Sequence, residues 1–269
     1  MKKLLKVLLM ALCIMSLCAC AKKEEPVLEK NVEEVQEEAE WQKQLGQKDK
    51  ISVGVSPDYP PFESKDTNNN LIGFDPELFE NVIKILNEIN GTNYEVEWVE
   101  MEFDTIISAI QTGQVDFGCS GFTYDPDREG QVLFSEKYLE SSIVAVTKND
   151  SGIKSLEDLK GKKIAAQTGT TCADEAVNYS NDVELIKDVN VMMEAFKADA
   201  YDAVFLDEPV AKNYASDTIV VLDEKIQDND TYVICAAENN LLDDKISEAI
   251  KVYMQTDEYN ALVEKWEVK

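Results

Sequence analysis

From residue 51 to the C-terminus, short apolar runs alternate with amphipathic helical stripes, the pattern of an α/β protein. Ile51-Ser52-Val53-Gly54-Val55 reads as a first strand, followed by the loop Pro57-Asp58-Tyr59-Pro60-Pro61-Phe62. Asp75 reads as a helix N-cap with Pro76 at the first helical position. Leu78, Phe79, Val82, Ile83, Leu86 and Ile89 form one apolar face that stops at Gly91. Alternation predicts a strand from Tyr94 to Val99. Asp104 is placed to cap a short helix carrying Ile106, Ile107 and Ile110, and Val115 to Cys119 reads as the next strand.

A similar series begins near residue 142. Ile143 to Val146 is a strand, and Ser155 with Asp158 makes a capping box for a short helix ending at Gly161. Ile164-Ala165-Ala166 leads into Thr168-Gly169-Thr170-Thr171, which opens a helix near Cys172. Ala203 to Leu206 is a strand ending at Asp207, with Pro209 starting the next helix. Tyr232 to Ala236 is a last strand, and residues 242–266 read as two amphipathic helices.

The first 50 residues break this pattern. Lys2, Lys3 and Lys6 form a basic start, and the apolar run from Leu4 to Leu17 is shorter than the ~20 residues a membrane-spanning helix needs. Leu17-Cys18-Ala19-Cys20 closes it and resembles a bacterial lipobox, with cleavage after residue 19 and a lipid (palmitate) on Cys20. An ordinary secretory leader with incidental cysteines is the plainer alternative. Residues 20–47 are charged and poor in apolar positions, and they read as an acidic tether. The expected product is a lipid-anchored protein on the extracellular or periplasmic face of the cell membrane.

Composition removes several classes of function. The chain has 53 acidic and 26 basic residues, a formal charge of −27, and the leader takes three lysines and no acid with it. Such a charge repels nucleic acid and anionic lipid, so neither is an expected partner, the membrane being reached through the anchor alone. The chain has no histidine, which excludes Ser-His-Asp and Cys-His catalysis and histidine-based zinc sites; no metal or cofactor is expected. Past Cys20, the cysteines are Cys119, Cys172 and Cys235, an odd number without CxxC spacing, and read as buried thiols. Cys172, at a helix start, is expected to be the most reactive.

The candidate chemistry centres on residues 116–135. Small and hydroxyl positions, Ser120, Gly121 and Thr123, are followed by Arg128. Guanidinium grips a planar carboxylate bidentately, and backbone N–H groups and a hydroxyl complete such a pocket. Pairing of Arg128 with Asp125 or Asp127 at the surface is the simpler alternative.

Taken together, the motifs resemble those of the amino-acid-binding family of bacterial solute-binding proteins that feed ABC importers. They are Tyr59-Pro60-Pro61-Phe62, Gly73-Phe74-Asp75-x-Glu77-Leu78, Phe103-Asp104-x-Ile106-x-x-Ala109-Ile110-x-x-Gly113-x-x-Asp116, Gly121-x-Thr123-x-x-Pro126-x-Arg128, Phe134-Ser135, Gly169-Thr170 and Asp202-Ala203-Val204-x-x-Asp207-x-Pro209, in order across residues 51–269. Pro76 departs from the family's usual aliphatic residue and suits the first turn of a helix.

The resemblance implies a two-lobed, type II periplasmic-binding-protein-like (Venus-flytrap) α/β fold. Lobe one would comprise residues 48–140 with 235–269 and lobe two residues 141–234, with hinges near Tyr138–Ser142 and Thr231–Ile234. It also implies a monomeric, non-enzymatic receptor delivering an amino acid to a permease and ATPase. Arg128, Thr123 and the Thr170-Thr171 helix start would take the ligand carboxylate. Asp207, with Ser120 or Gly121, would take its ammonium, and Tyr59 and Phe103 would sandwich its side chain. Ser56 and Gln167, both uncharged, occupy side-chain positions together with Leu206, which implies an uncharged ligand side chain. Simpler roles remain open: a helix cap for Asp207, an N-cap pair for Thr171 and Cys172, core packing for the two aromatics. Two rivals share the fold, a prephenate- or arogenate-type dehydratase and the ligand-sensing partner of a membrane receptor.

Overall fold

The computed structural model describes residues 40–46 and 48–269. The expected leader and Cys20 lie outside the described residues, as does most of the expected tether.

Residues 40–45 are helical (α1). The chain then runs β1 (Lys50–Val55), β2 (Ser64–Lys65), β3 (Leu71–Ile72), α2 (Phe74–Asn90), β4 (Glu95–Glu100), α3 (Ile106–Gln111), β5 (Phe117–Gly118) and β6 (Val132–Phe134). After a first crossover come β7 (Ser142–Lys148), β8 (Lys163–Gln167), α4 (Thr171–Tyr179), β9 (Asp182–Ile186), α5 (Val189–Lys197), β10 (Ala203–Asp207), α6 (Glu208–Tyr214) and β11 (Ile219–Asp228). A second crossover returns the chain to β12 (Ile234–Ala236), α7 (Asn240–Tyr253) and α8 (Asp257–Trp266).

These strands form two five-stranded sheets, one per lobe, in the orders β4-β1-β5-β12-β6 and β11-β7-β10-β8-β9. In each, parallel pairing (β1 with β4 and β5; β8 with β9 and β10) meets antiparallel pairing where the crossovers enter. The crossovers touch each other: Thr231 pairs with Leu139, Tyr138 N–H donates to the Thr231 carbonyl, and Asn229 N–H donates to that of Ser141. Helices cover both faces of each mixed sheet, so central strands such as Ile143–Val146 and Ala203–Asp207 are buried throughout and read as continuous apolar runs.

Asp104 caps nothing, since it lies inside a 3-10 turn and Thr105 stands at the N-cap of α3, and three further details differ from the sequence reading. Gly73, at φ 147, is the N-cap of α2; an added Cβ there would lie 2.0 Å from the Phe62 carbonyl oxygen. Asp75 sits inside the first turn with its carboxylate buried, accepting Gly121 N–H at 2.7 Å and the Tyr138 hydroxyl at 2.7 Å. A carboxylate at that point of the sequence suits a cap, but the nearby tertiary donors claim it. The acidic tether also stops short of residue 47. Trp41 and Leu45, four apart on α1, are buried, Trp41 packs edge-on against Tyr94, and Gln44 accepts Leu242 N–H. An i, i+4 apolar pair is enough to dock one helical turn even in a charged segment. The Ser155–Asp158 capping box is present.

Candidate functional site

The loops at the C-terminal ends of β1, β5, β8 and β10 converge between the lobes, where open α/β sheets bind ligands. Ser56 and Tyr59 follow β1, Ser120 to Thr123 follow β5, Gln167 ends β8 and leads to Thr170 and Thr171, and Asp207 ends β10.

Arg128, the one arginine in the chain, is buried against the Phe122 ring at the end of a 3-10 turn that Asp125 caps. One terminal nitrogen donates to the Thr123 carbonyl at 2.8 Å, and the other reaches across the cleft to the Gly169 carbonyl at 2.9 Å. Among the described residues it makes no ion pair, so the surface pairing with Asp125 or Asp127 is not formed. Burial lowers its proton affinity, yet a guanidinium stays charged in proteins, and three of its five N–H groups remain available to an anion.

Asp207 is the opposing charge. It stands at the N-cap of α6, but its side chain makes no cap bond. One oxygen accepts the Tyr59 hydroxyl at 2.8 Å and the other the Asn229 carboxamide at 2.6 Å. Burial pushes its carboxyl up to about 6, while those two hydrogen bonds and then Arg128 oppose the rise. Near neutral pH it is therefore an anion.

Between these charges run three linked hydroxyls and amides. Thr171 Oγ1 donates to Asn229 at 3.1 Å; having spent its single proton there, it accepts from Thr123 Oγ1, also at 3.1 Å, across the cleft. Thr170 Oγ1 caps α4 by accepting Ala173 N–H and donates to the Gln167 carbonyl. Thr170 thus shapes the helix start, while its neighbour faces the other lobe.

The remaining expected site residues are distributed unevenly. Ser120 Oγ accepts Ser56 N–H and donates to Glu63, and Gly121 N–H turns inward to Asp75, so this loop is fastened from beneath by two buried acids. Burial and the neighbouring Asp75 carboxyl push Glu63 well above the usual range, and burial alone brings Asp75 to about 6. The Tyr59 ring stacks on Phe62, and Phe103 stacks on Phe122 with 4.6 Å between ring centres. Cys172 is buried behind Asp207, and desolvation and that charge raise its thiol well above 9, which removes the reactivity expected of a helix start.

Two site residues escaped the sequence reading. Asp58 lies buried between the lobes: Oδ1 accepts Ser56 Oγ–H, and Oδ2 accepts Gln167 Nε2–H at 3.0 Å and Val189 N–H, at the start of α5, at 2.8 Å. Asn229, on the second crossover, touches both Asp207 and Thr171. It lies in no motif and two residues before the expected hinge at Thr231–Ile234. Gly169 also belongs to the cleft: at φ +79, its added Cβ would meet the Asp104 side chain of the other lobe at 3.1 Å. Among the described residues, no group of three acidic or cysteine side chains is set to hold a metal, and no helix is long and apolar enough to cross a membrane.

The family of bacterial extracellular solute-binding proteins, family 3, matches residues 51–269. The arginine-binding extracellular protein ArtP of Bacillus subtilis (strain 168) is 33% identical over 228 residues, covering 81% of this chain and 86% of ArtP. An ancestral arginine-binding protein solved with arginine superposes with a TM-score of 0.74 at 32% identity, covering 81% of this chain and 98% of its own. The ancestral amino acid-binding protein AncCDT-1, described as a precursor of cyclohexadienyl dehydratase, superposes at 0.72 with 31% identity, covering 85% and 98%. These relatives are binding proteins and not enzymes. Two mixed α/β lobes, a cleft lined by the ends of their strands, and a match across the folded chain lead to one conclusion: this chain belongs to family 3 of the bacterial extracellular solute-binding proteins.

Proposed function

We propose that this protein binds a free α-amino acid between its lobes and presents it to an ABC importer, a permease with its ATPase. The observation that carries this reading is the pair of opposite buried charges: Arg128 on lobe one and Asp207 on lobe two, each kept ionised near neutral pH and each already reaching the other lobe. A zwitterion satisfies both at once, so its binding energy falls on the closed form, the form that a transporter can distinguish. Each charged hydrogen bond contributes about 1.5–3 kcal/mol, and four or five support micromolar binding or better.

Ser56, Gln167 and Leu206 on their own favour an uncharged side chain. Asp58 shifts that balance. After a zwitterion has matched Arg128 and Asp207, the Asp58 carboxylate is the charge left over in the cleft, and a cationic side chain compensates it. Relatives named for arginine support the same choice. The reading extends to a monomer with lobes divided at about residues 140 and 235, anchored by lipid on Cys20 at the outer face of the membrane. Calorimetric titration of the standard amino acids tests the ligand: arginine or lysine binds tightest, and no binding by any of them overturns the reading. Labelling with a palmitate analogue, lost in Cys20→Ala, tests the anchor.

A further inference from the structure

The structure assigns Asn229 the role of a positioning residue: carried on the second crossover, its carboxamide fixes Asp207 and Thr171 together, so the ligand-facing half of lobe two is set by the hinge itself. This rests on the amino-acid reading of the cleft.

Three contacts of one residue carry the inference. Nδ2 donates to Asp207 Oδ1 at 2.6 Å, Oδ1 accepts from Thr171 at 3.1 Å, and the backbone N–H donates to the Ser141 carbonyl of the first crossover. Asn229 is 4% exposed, so it makes these bonds out of contact with bulk solvent. A carboxamide suits the position, because it gives a proton to the carboxylate and accepts a hydrogen bond from the hydroxyl through separate atoms without carrying charge. Thr171 in turn accepts from Thr123 across the cleft, so a rotation of the crossover displaces the anion and the interlobe hydroxyl pair together. A mere structural filler would leave the ionisation of Asp207 alone. This contact instead opposes the rise that burial imposes on it.

Asp207 is faced by Tyr59 and Arg128 from lobe one, by Cys172 on α4 and, further off, by Glu63. Tyr59 and Cys172 are raised far from neutrality, Arg128 stays charged, and a Glu63→Gln background removes the remaining acid. The test uses the mature protein as wild type, Asn229→Ala and Asn229→Ser. Carbon-13 NMR follows the Asp207 carboxyl, and calorimetry follows L-arginine, or whichever standard amino acid binds wild type tightest, at pH 6 and 8.5. In Asn229→Ala the Asp207 midpoint rises from about 6 by about one unit. Its ionised fraction at pH 6 then drops from about a half to a tenth, so affinity falls roughly fivefold more at pH 6 than at pH 8.5. Asn229→Ser, which keeps a short donor, recovers part of both effects and stands in if the alanine variant does not fold. An unmoved Asp207 midpoint, or equal losses at both pH values, overturns the role. If wild type binds no amino acid, the proposed function falls while the NMR titration still decides Asn229.

Discussion

Tyr59 and Asp207 bind each other in both directions across the cleft: the phenol gives its proton to Oδ2 at 2.8 Å and accepts the Asp207 backbone N–H at 3.0 Å. One hydroxyl from lobe one thereby satisfies a buried anion and a buried donor of lobe two. Tyr59→Phe leaves both unpaired in the closed form, at a cost of about 1–3 kcal/mol. The expected outcome is a ten- to hundredfold weaker amino-acid affinity with an unchanged melting temperature for the separate lobes, and small-angle scattering showing a more extended average shape. Unaltered affinity in this variant sinks the role.

Arg128 spans the lobes by geometry that lysine lacks. Its two terminal nitrogens serve carbonyls on opposite sides of the cleft, Thr123 and Gly169, and leave N–H groups for the carboxylate of the proposed ligand. Arg128→Lys offers one ammonium in place of that planar fork. Both Arg128→Lys and Arg128→Ala are expected to lose more than about a hundredfold in affinity, the effect of two charged hydrogen bonds, while circular dichroism stays native. Binding within tenfold of wild type in Arg128→Lys overturns the fork argument.

The strands and long helices were legible because their apolar positions follow periods of two or 3.6 over many residues, as in the α2 stripe from Leu78 to Leu86. Arg128 and Asp207 were legible as candidates because each belongs to a spaced motif, and Thr171 because it follows Gly169-Thr170 at a helix start. Asp58 and Asn229 were not: neither lies at a position that local periodicity or a spaced motif marks, and their partners are distant in sequence, Gln167 and Val189 for Asp58, Thr171 and Asp207 for Asn229. Asp75 misled for a related reason. Local sequence offered a helix cap, whereas Gly121 and Tyr138, 46 and 63 residues further on, took the carboxylate instead.

Asp58 separates ligands by charge if it faces the ligand side chain as proposed. Asp58→Asn keeps nearly the same shape and removes the anion, and its carboxamide oxygen can still accept from both Gln167 and Val189 with the nitrogen turned to Ser56 Oγ. Affinity for arginine and lysine is expected to fall about tenfold or more, the effect of one charged contact, with glutamine changed by less than about threefold. Equal losses for charged and neutral amino acids in the calorimeter would instead mark Asp58 as a closure contact alone.

Two pH dependences of opposite sign follow from the buried carboxyls. Asp75 and Asp207 both lie at about 6 in the folded chain against an ordinary 3.8, with burial the largest cause in each. Between about pH 4 and 6 the folded state thus binds more protons than the unfolded one, and stability declines as pH rises through that window. From pH 7.5 down to 5, each group adds about 1 kcal/mol of stability, so the ligand-free protein melts higher at pH 5. Asp75→Asn removes its share and flattens the profile; a profile as steep as wild type's rejects the assignment. Amino-acid affinity runs the other way, falling below pH 6 as Asp207 takes up its proton.

The folded unit is expected to begin at α1 and not at residue 48. Trp41 is fully buried against Tyr94, Leu45 is 3% exposed, and Gln44 bonds the start of α7 through Leu242 N–H and the Glu238 carbonyl. Deleting a buried tryptophan costs about 3–5 kcal/mol, and Trp41 Nε1, without a partner among the described residues, places this one at the lower end. At roughly 2–4 °C per kcal/mol for a chain of this size, protein starting at residue 48 should melt about 6–12 °C below protein starting at residue 40. Trp41→Ala in the longer protein should account for most of that difference, since it removes the largest buried side chain of the segment. Amino-acid affinity at 25 °C should stay within about threefold, because α1 docks on the face of lobe one formed by Tyr94 and α7, away from the β1, β5, β8 and β10 loops that line the cleft. Matching melting temperatures for the two lengths would return residues 40–47 to the tether.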